Sequence, residues 1–443
     1  MSNYQEKVIT LEKALSFVKS NDQIVTGLGC GEAKAFMDAL PTIADRVKNV
    51  TITNCLPLSK GEYLQRQYRH SFGCDGWFYS PPLRKAHPNG NISFIPNHLH
   101  FAATRRLEHI PHPDIFVGVC STPDKHGYVS MSLSNTYEIR QMKAAKLVIL
   151  EVNPNYPRTF GDSFVNIDDV DYFVEVNYPV PIVPEGTYTE KDKVIGDLVA
   201  SQVRDGDCIQ IGIGGIPDAV CAALAGKKHL GIHTELLTTG MMKLMKAGVI
   251  DNSMKTIHQG KAVTTMIMGT QELYDFVDDN PAIALMDGCY VNNPYVIAQN
   301  DNQVSINTAL EVDLTGQVCS ESIGPVQWSG AGGQADTAIG AQLSKGGRSF
   351  ICLYSTAMVK NKETGEKEEV SKIVTKLKEG AVVTLQRQDV HYIVTEYGMV
   401  NLWGLNVKER VEALISVAHP KFREQLRKDA IECGIIGNFE DED

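Results

Sequence analysis

The sequence predicts an α/β chain of two duplicated open domains with largely parallel sheets, facing each other across a cleft that holds the site. Three observations predict it. Residues 18–39, VKSNDQIVTGLGCGEAKAFMDA, return at 203–224 as VRDGDCIQIGIGGIPDAVCAAL. Asp22 matches Asp207, Ile24 matches Ile209, Gly27 matches Gly212 and Gly29 matches Gly214, each pair 185 positions apart. Strand-like and helix-like stretches alternate in both halves, as a parallel sheet with crossover helices requires. Where the first copy ends, NYPVPIVPEG at 177–186 carries three prolines and a glycine, the composition of a linker. A repeat of this period is a duplicated domain, not a solenoid unit.

Taken in order, the first half opens with a strand that ends in Gly27-Leu28-Gly29 and feeds a helix, and NVTITNCL at 49–56 is its second strand. The linker divides the chain into domains 1–183 and 184–443. The second half opens with CIQIGIGGIPDAV at 208–220. Its apolar run ends in a glycine turn, and Pro217 fits the first helical position, where its missing N–H costs little. LGIHTELL at 230–237 is the second strand of this copy, and DKHGYVSMS at 124–132 is echoed by DLTGQVCSES at 313–322. Ligands of such sheets sit at the C-terminal ends of the strands.

Composition bounds the function. The chain has 443 residues, 43% of them hydrophobic and 21% charged, and a formal net charge of −11. The acidity argues against nucleic acid, whose binders need a basic stripe. An anionic small molecule is still compatible, held by local lysines and backbone N–H groups. Apolar runs such as LVILEV at 147–152 are too short to span a bilayer. The start MSNYQEKVIT lacks the basic and apolar regions of a signal peptide. Ten cysteines without a C-x-x-C pair read as reduced thiols in a cytoplasmic protein. The acidic end FEDED at 439–443 reads as a frayed, solvated tail.

Gly212, Gly214 and Gly215 raise the question of a dinucleotide fingerprint. That motif needs a third glycine where Pro217 stands, and an acid about 20 residues on to bind a ribose. Glu235 lies 23 residues after Gly212, whereas the first copy has Asn54, Cys55 and Leu56 in the corresponding region. Glu235 ends a β-like stretch and precedes a Thr-Thr-Gly turn, which aims it into a cleft. A carboxylate so placed is a ribose ligand or a nucleophile. Glycines that only let a strand and a helix pack closely are the third reading.

LGIHTELLTTG at 230–240, with QIGIGGIPDAV upstream, resembles the acetyl-CoA hydrolase/transferase family. The resemblance continues through KGEYL at 60–64, DGWFYSPP at 75–82, FGDSFV at 160–165, INTALEVDLTGQV at 306–318, SGAGGQADTAIGA at 329–341 and VHYIVTEYG at 390–398. It runs nearly end to end, and is strongest to the branch that transfers CoA to 4-hydroxybutyrate, with butyryl and acetate CoA-transferases nearby. It implies that Glu235 attacks an acyl-CoA thioester, giving an anhydride and then a glutamyl-CoA thioester. An incoming short carboxylate reverses both steps. The implied function is ping-pong CoA transfer between a short-chain acyl-CoA and a short carboxylate such as acetate. Hydrolysis of the acyl-CoA is the alternative, and a non-covalent nucleotide-binding protein is the alternative from another class.

The resemblance also implies roles for other residues. Each step passes through an oxyanion, and Ser329–Gln334 supplies backbone donors, with Gly333 nearest the chemistry and Gly330 and Gly332 in the same loop. Gly212, Ile213, Gly214, Gly215 and Ile216 lie along the CoA chain or its phosphates. Asn292, in CYVNNPYV, contacts CoA or substrate. Lys360 follows the LYSTA stretch and is a candidate for the CoA phosphates, in competition with Lys362 and Lys372 in an apparent charged insertion that reads as an exposed hairpin at its tip. No cofactor is tightly bound and no metal is needed; CoA enters as substrate and as the covalent intermediate. His98, His100, His109, His112 and Asp114 form a superficially metal-like group without zinc spacing. Glu396 is a rival carboxylate that reads as a strand-end structural acid. Tyr63, Trp77 and Phe78 are candidates for acyl-pocket walls, which the first half supplies, although aromatic residues more often belong to the core. The partners are acyl-CoA and short carboxylates, and the assembly expected is a homodimer.

Overall fold

The structure is a computed structural model that describes residues 4–360 and 364–437. Seven strands form the first sheet: β1 (Gln23–Thr26), β2 (Val50–Asn54), β3 (Phe72–Gly76), β4 (Ile92–Phe94), β5 (Ile115–Cys120), β6 (Leu147–Val152) and β8 (Tyr172–Glu175). Their spatial order is β8-β6-β5-β1-β2-β3-β4, parallel throughout. The strands are rich in Val, Ile and Phe, and β5 is buried at all six positions, as a parallel strand covered on both faces must be.

The second half repeats this order. Its strands are β9 (Cys208–Ile211), β10 (Gly231–Ile232), β11 (Ala262–Thr264), β12 (Ile283–Leu285), β13 (Gln303–Thr308), β14 (Arg348–Cys352), β15 (Tyr392–Thr395) and β16 (Gly398–Asn401). Six run in the order β10-β9-β13-β14-β15-β16, and only the β15–β16 hairpin among them is antiparallel. A bridge from His233 to Val263 continues the array from β10 into β11 and β12. The repeat read from the sequence is therefore a repeat of strands: β1 and β9 occupy matching positions at the same 185-residue spacing. Asp124 accepts the N–H groups of His126 and Tyr128, and Asp313 those of Thr315 and Gln317. The echo at 124–132 and 313–322 is thus one turn made twice, each time with a positive-φ glycine, Gly127 and Gly316.

The halves are packed as one body. A single apolar cluster runs from Val25 and Phe116 in the first sheet to Ile209, Ile306 and Phe350 in the second. Two further clusters cover the outer faces. One strand crosses over: β7 (Phe160–Gly161), from the first half, pairs with β12. Gly161 has φ +115°, and a Cβ there would overlap the Leu285 carbonyl oxygen. Among the described residues no helix is long and apolar enough to cross a membrane.

The close approach at β7 needs a glycine twice over, for its φ and for its space. Gly161→Val should destabilise the protein by about 2 kcal/mol or more, given ~1–3 kcal/mol for the backbone conformation alone. Urea unfolding checks this, and an unchanged midpoint would show that the crossover strand yields freely.

Candidate active site

Glu235 sits just past the C-terminal end of β10, as its sequence context implies. Its backbone is pinned: its carbonyl accepts the N–H groups of Thr265 (3.1 Å) and Met266 (2.9 Å) and the Thr264 hydroxyl (3.1 Å). Leu236–Leu237 then pairs with Met266–Ile267. His233 is buried and neutral, pushed down to about 3 by burial and by the Lys255 charge. Its Nε2 donates to the Val291 carbonyl at 2.8 Å, which ties this strand end to the residue before Asn292.

The carboxyl is partly open to solvent but has protein on most sides. Asn292 Nδ2 donates to Glu235 Oε2 at 2.9 Å. Gly333 lies against the same oxygen, so closely that a Cβ there would overlap both Oε2 and Asn292 Nδ2. Gly332 has φ +53°, and its Cβ position is 3.9 Å from Oε1. Burial pushes Glu235 up from 4.5 to about 7; Asn292 and the Gly333 N–H oppose the rise, and the Asp336 charge adds to it. The site thus holds a carboxyl raised toward neutrality by burial, with the Asn292 amide on Oε2 and the Gly333 N–H as a second donor to the carboxyl.

The glycine loop at 329–333 belongs to the second half but is seated on the first. Tyr79 N–H donates to the Ser329 carbonyl (3.1 Å), and Leu99 N–H to that of Gly332 (3.2 Å). A Cβ at Gly330 would press on the Trp77 carbonyl oxygen (2.7 Å) and Phe78 (2.9 Å). Helix α3 (Gln334–Leu343) starts immediately after Gly333. The cleft expected between the halves is this seam.

Glu235, Asn292, Gly332 and Gly333 are therefore brought together, with Gly330 holding the loop. Gly212–Ile216 is placed differently. It opens helix α2 (Gly215–Ala223) with Gly214 at φ +122°, and Ile213 and Gly214 line a cavity of about 340 Å³ with Thr238, Thr239 and Gly240, the turn that follows Glu235. Pro217 is at the third helical position, not the first, because the helix begins at Gly215. Its missing N–H is still among the four free donors of a helix start. Lys360 ends an antiparallel hairpin, Thr356–Lys360 with Lys367–Ser371, and is exposed there. Lys372 is half-buried, and burial lowers its amine despite the Glu311 charge. Lys362 and the tail at 439–443 lie outside the described residues.

Of the aromatic candidates, Phe78 packs against the glycine loop and Trp77 lines a cavity of about 550 Å³ with Ile95, Phe101, Ala102, Ala331 and Val383. Tyr63 does neither. It is buried against Phe72 in the outer core of the first half, because its ring completes that apolar layer. Glu396 accepts from Ser355 N–H and hydroxyl and pairs with Lys191 at 3.0 Å, a structural acid. His98 and His100 do meet an acid, but it is Asp336 of α3, a partner with no signature in the sequence.

Symmetry explains why only one half carries this carboxyl. Thr51 of β2 faces Gln23 as Gly231 of β10 faces Cys208. Cys55 therefore holds the place of Glu235, and its thiol is kept protonated by burial. The first glycine loop is also filled from within. Glu138 accepts Leu28 N–H (2.8 Å), and Glu151 accepts Phe36 N–H (2.7 Å) and Ala35 N–H (3.3 Å). The second loop has open space where a side chain would be at Gly212, and is closed only at Gly215, where a Cβ would meet the Asp192 carboxylate.

Gly333→Val should place its side chain on the Glu235–Asn292 contact and push both donors off the carboxyl, at about 3–4 kcal/mol in the transition state, a loss of two to three orders of magnitude in turnover with little change in melting temperature. Normal turnover would make the glycine segment a turn only. The raised carboxyl has a second consequence. The folded protein holds this proton more tightly than the unfolded chain, so the stability linked to Glu235 is full below pH 4.5 and is lost as pH rises through about 7. Glu235→Gln should therefore gain melting temperature relative to wild type between about pH 5 and pH 8, and parallel curves would contradict the shift.

The profile of the acetyl-CoA hydrolase/transferase N-terminal domain matches residues 1–184, and that of the C-terminal domain matches residues 269–430. The 4-hydroxybutyrate coenzyme A transferase of Clostridium kluyveri is 44% identical over 96% of this chain and 97% of its own length. The butyryl-CoA:acetate CoA-transferase of Anaerostipes caccae is 36% identical over 96% of each. The crystal structure of RipA from Yersinia pestis superimposes with a TM-score of 0.89 at 35% identity, covering 98% of this chain and 99% of that one. With both domain profiles matched in order and relatives aligned along almost the whole length, the chain belongs to the acetyl-CoA hydrolase/transferase family.

Proposed function

We propose that this chain moves CoA between a short-chain acyl-CoA and a short carboxylate through a covalent glutamyl-CoA thioester on Glu235. CoA transfer is the activity named for its near-full-length relatives, one acting with 4-hydroxybutyrate and one with butyryl-CoA and acetate. The observation that carries the covalent route is the geometry at Glu235, a strand-end carboxyl at the seam bonded by Asn292 at 2.9 Å with Gly333 packed against it.

A Glu235 oxygen attacks the thioester carbon, and the CoA thiolate leaves an acyl-glutamyl anhydride. The thiolate then attacks the glutamyl carbon, and the acyl group departs as free carboxylate. An acceptor carboxylate attacks the same carbon, reforms an anhydride and regenerates the thiolate. Thiolate attack on the new acyl carbon releases the new acyl-CoA and free Glu235. Only a carboxylate side chain can form both intermediates. Asn292 Nδ2 and the Gly333 N–H point at a glutamyl oxygen, so they stabilise the oxyanion in the steps that attack the glutamyl carbon.

The binding roles follow from position. The cavity lined by Trp77, Ile95, Phe101, Ala102, Ala331 and Val383 borders the glycine loop and also carries Arg105, Arg106 and Glu321; its apolar wall suits the acyl chain, with the first half (1–183) supplying most of that wall and the second (184–443) the carboxyl and the CoA contacts. The Gly212–Ile216 loop has Glu185 and Asp218 beside it. Acids repel phosphate, so this loop suits the uncharged pantetheine portion of CoA, whose amides can use its free N–H groups. Lys360 is exposed and is the candidate for the phosphates. All ten cysteines are unpaired, which supports a reducing, cytoplasmic setting, and a homodimer is the assembly expected of such a chain.

Mixing the enzyme with an acyl-CoA and no acceptor should leave CoA on Glu235 with one adduct mass whichever acyl-CoA is used. Acceptor carboxylate should discharge it, and Glu235→Gln should abolish it and cut exchange by about 10³-fold or more. Adducts that differ by the acyl mass would overturn the route. Free thiol formed at the same rate with and without acceptor would mean hydrolysis, and no adduct would favour non-covalent binding.

A further inference from the structure

The segment His98-Leu99-His100 of the first half is stapled to the start of α3. Leu99 N–H donates to the Gly332 carbonyl (3.2 Å). His100 N–H donates to Asp336 Oδ2 (3.1 Å), and His100 Nδ1 lies 2.7 Å from Asp336 Oδ1. His98 Nδ1 stands 3.6 Å from the same oxygen. The Asp336 side chain is 2% exposed and lies in the first turn of the helix that begins after Gly333. Every contact in this staple crosses the seam between the halves, one turn from the Glu235 carboxyl.

On the reading that Glu235 is the nucleophile, we propose that His100 is a positioning residue: through Asp336 it seats the glycine loop against Glu235 and limits the negative charge that Glu235 meets. A carboxylate needs a donor when it is buried. Without His100, Asp336 has only the half-exposed His98 as a side-chain partner across the seam, and the helix start loses one of its ties to the first half. A small shift matters, because Gly333 touches Glu235 with no room for a Cβ.

The charged and titratable surroundings are few. Asp336 faces His98, His100 and, by its charge, Glu235. Beside His100 are the His98 ring at 5.9 Å and Phe101 at 3.8 Å, with the Arg105 guanidinium 3.9 Å from the Phe101 ring. Glu235 meets Asp336 and the neutral Cys55 thiol. Removing the Nδ1 donor concentrates charge on Asp336, which favours the protonated form of Glu235. Removing the Asp336 charge does the opposite.

The test measures acyl exchange against pH for wild type, His100→Phe, His100→Asn and Asp336→Asn, with the glutamyl-CoA adduct followed by mass. His100→Phe keeps the ring and loses the donor. Its kcat should fall about tenfold or more with KM within about threefold, and the acid limb of kcat/KM, which reports the free enzyme, should move to higher pH. His100→Asn places an amide N–H where Nδ1 was and should restore most of kcat and the limb. Asp336→Asn should move the limb to lower pH. A loss in His100→Phe with an unmoved limb and no rescue by Asn would reduce His100 to packing, and wild-type behaviour would remove the role. Should His100→Phe fail to fold, the limb of Asp336→Asn decides alone, an unmoved limb overturning the proposal. Failure of the Glu235 reading is separately visible, since wild type would then form no single-mass adduct.

Discussion

A carboxylate that is hard to ionise, and that on the proposed route must act as an anion, is the constraint around which the site is arranged. Burial alone would leave Glu235 protonated and inert. Asn292 and the Gly333 N–H bring the ionised form back within reach of neutral pH without returning it to water. A desolvated carboxylate held by few donors is more reactive than a solvated one, and on the proposed route the same donors meet the oxyanion that forms on it. The rest of the site serves to keep those two donors in place: three donors pin the Glu235 carbonyl, His233 ties the strand end to Val291, and the first half grips the glycine loop.

The duplicated frame leaves the proposed nucleophile in one half only. Both copies end a central strand in Gly-x-Gly and bury the strand that follows. In the first copy Glu138 and Glu151 occupy the donors around the loop, and Cys55 stands where a nucleophile would be. Those buried acids satisfy backbone N–H groups that nothing else reaches, so that half gains rigidity and gives up ligand space. In the second copy the loop stays open and the strand end carries the carboxyl. A fold that places two similar strand ends at one seam needs only one of them to react, and the other becomes a wall.

The seam couples stability to catalysis. The shared apolar core and the crossover strand at Gly161 fix the halves against each other. That rigidity is what lets a loop from the second half rely on Tyr79, Phe78 and Leu99 of the first for its position. A hinge here would separate Gly333 from Glu235 and cost the site its donors.

The sequence by itself determined the duplication, the alternation of strands and helices, the strand-end position of Glu235 and, through its motifs, the family. These are local or periodic features: an apolar run ending in glycine, or an aspartate that caps its own turn, carries its structure in a few residues. Residues whose role depends on a distant partner were not legible. The histidines at 98 and 100 read as part of a superficially metal-like group without zinc spacing, and their true partner was hidden because it lies 236 positions beyond His100. Tyr63 read as core or pocket wall, because an aromatic side chain looks alike in both, and the fold decided for core. Pro217 was offset by two positions because helix starts are set by backbone geometry. Only the tertiary structure decided that Gly333 and Asn292 meet one oxygen of Glu235, that the first loop is filled and the second open, and that the first half holds the loop. Such facts arise where chain segments far apart in sequence close on one another, and no local pattern encodes the distance between them.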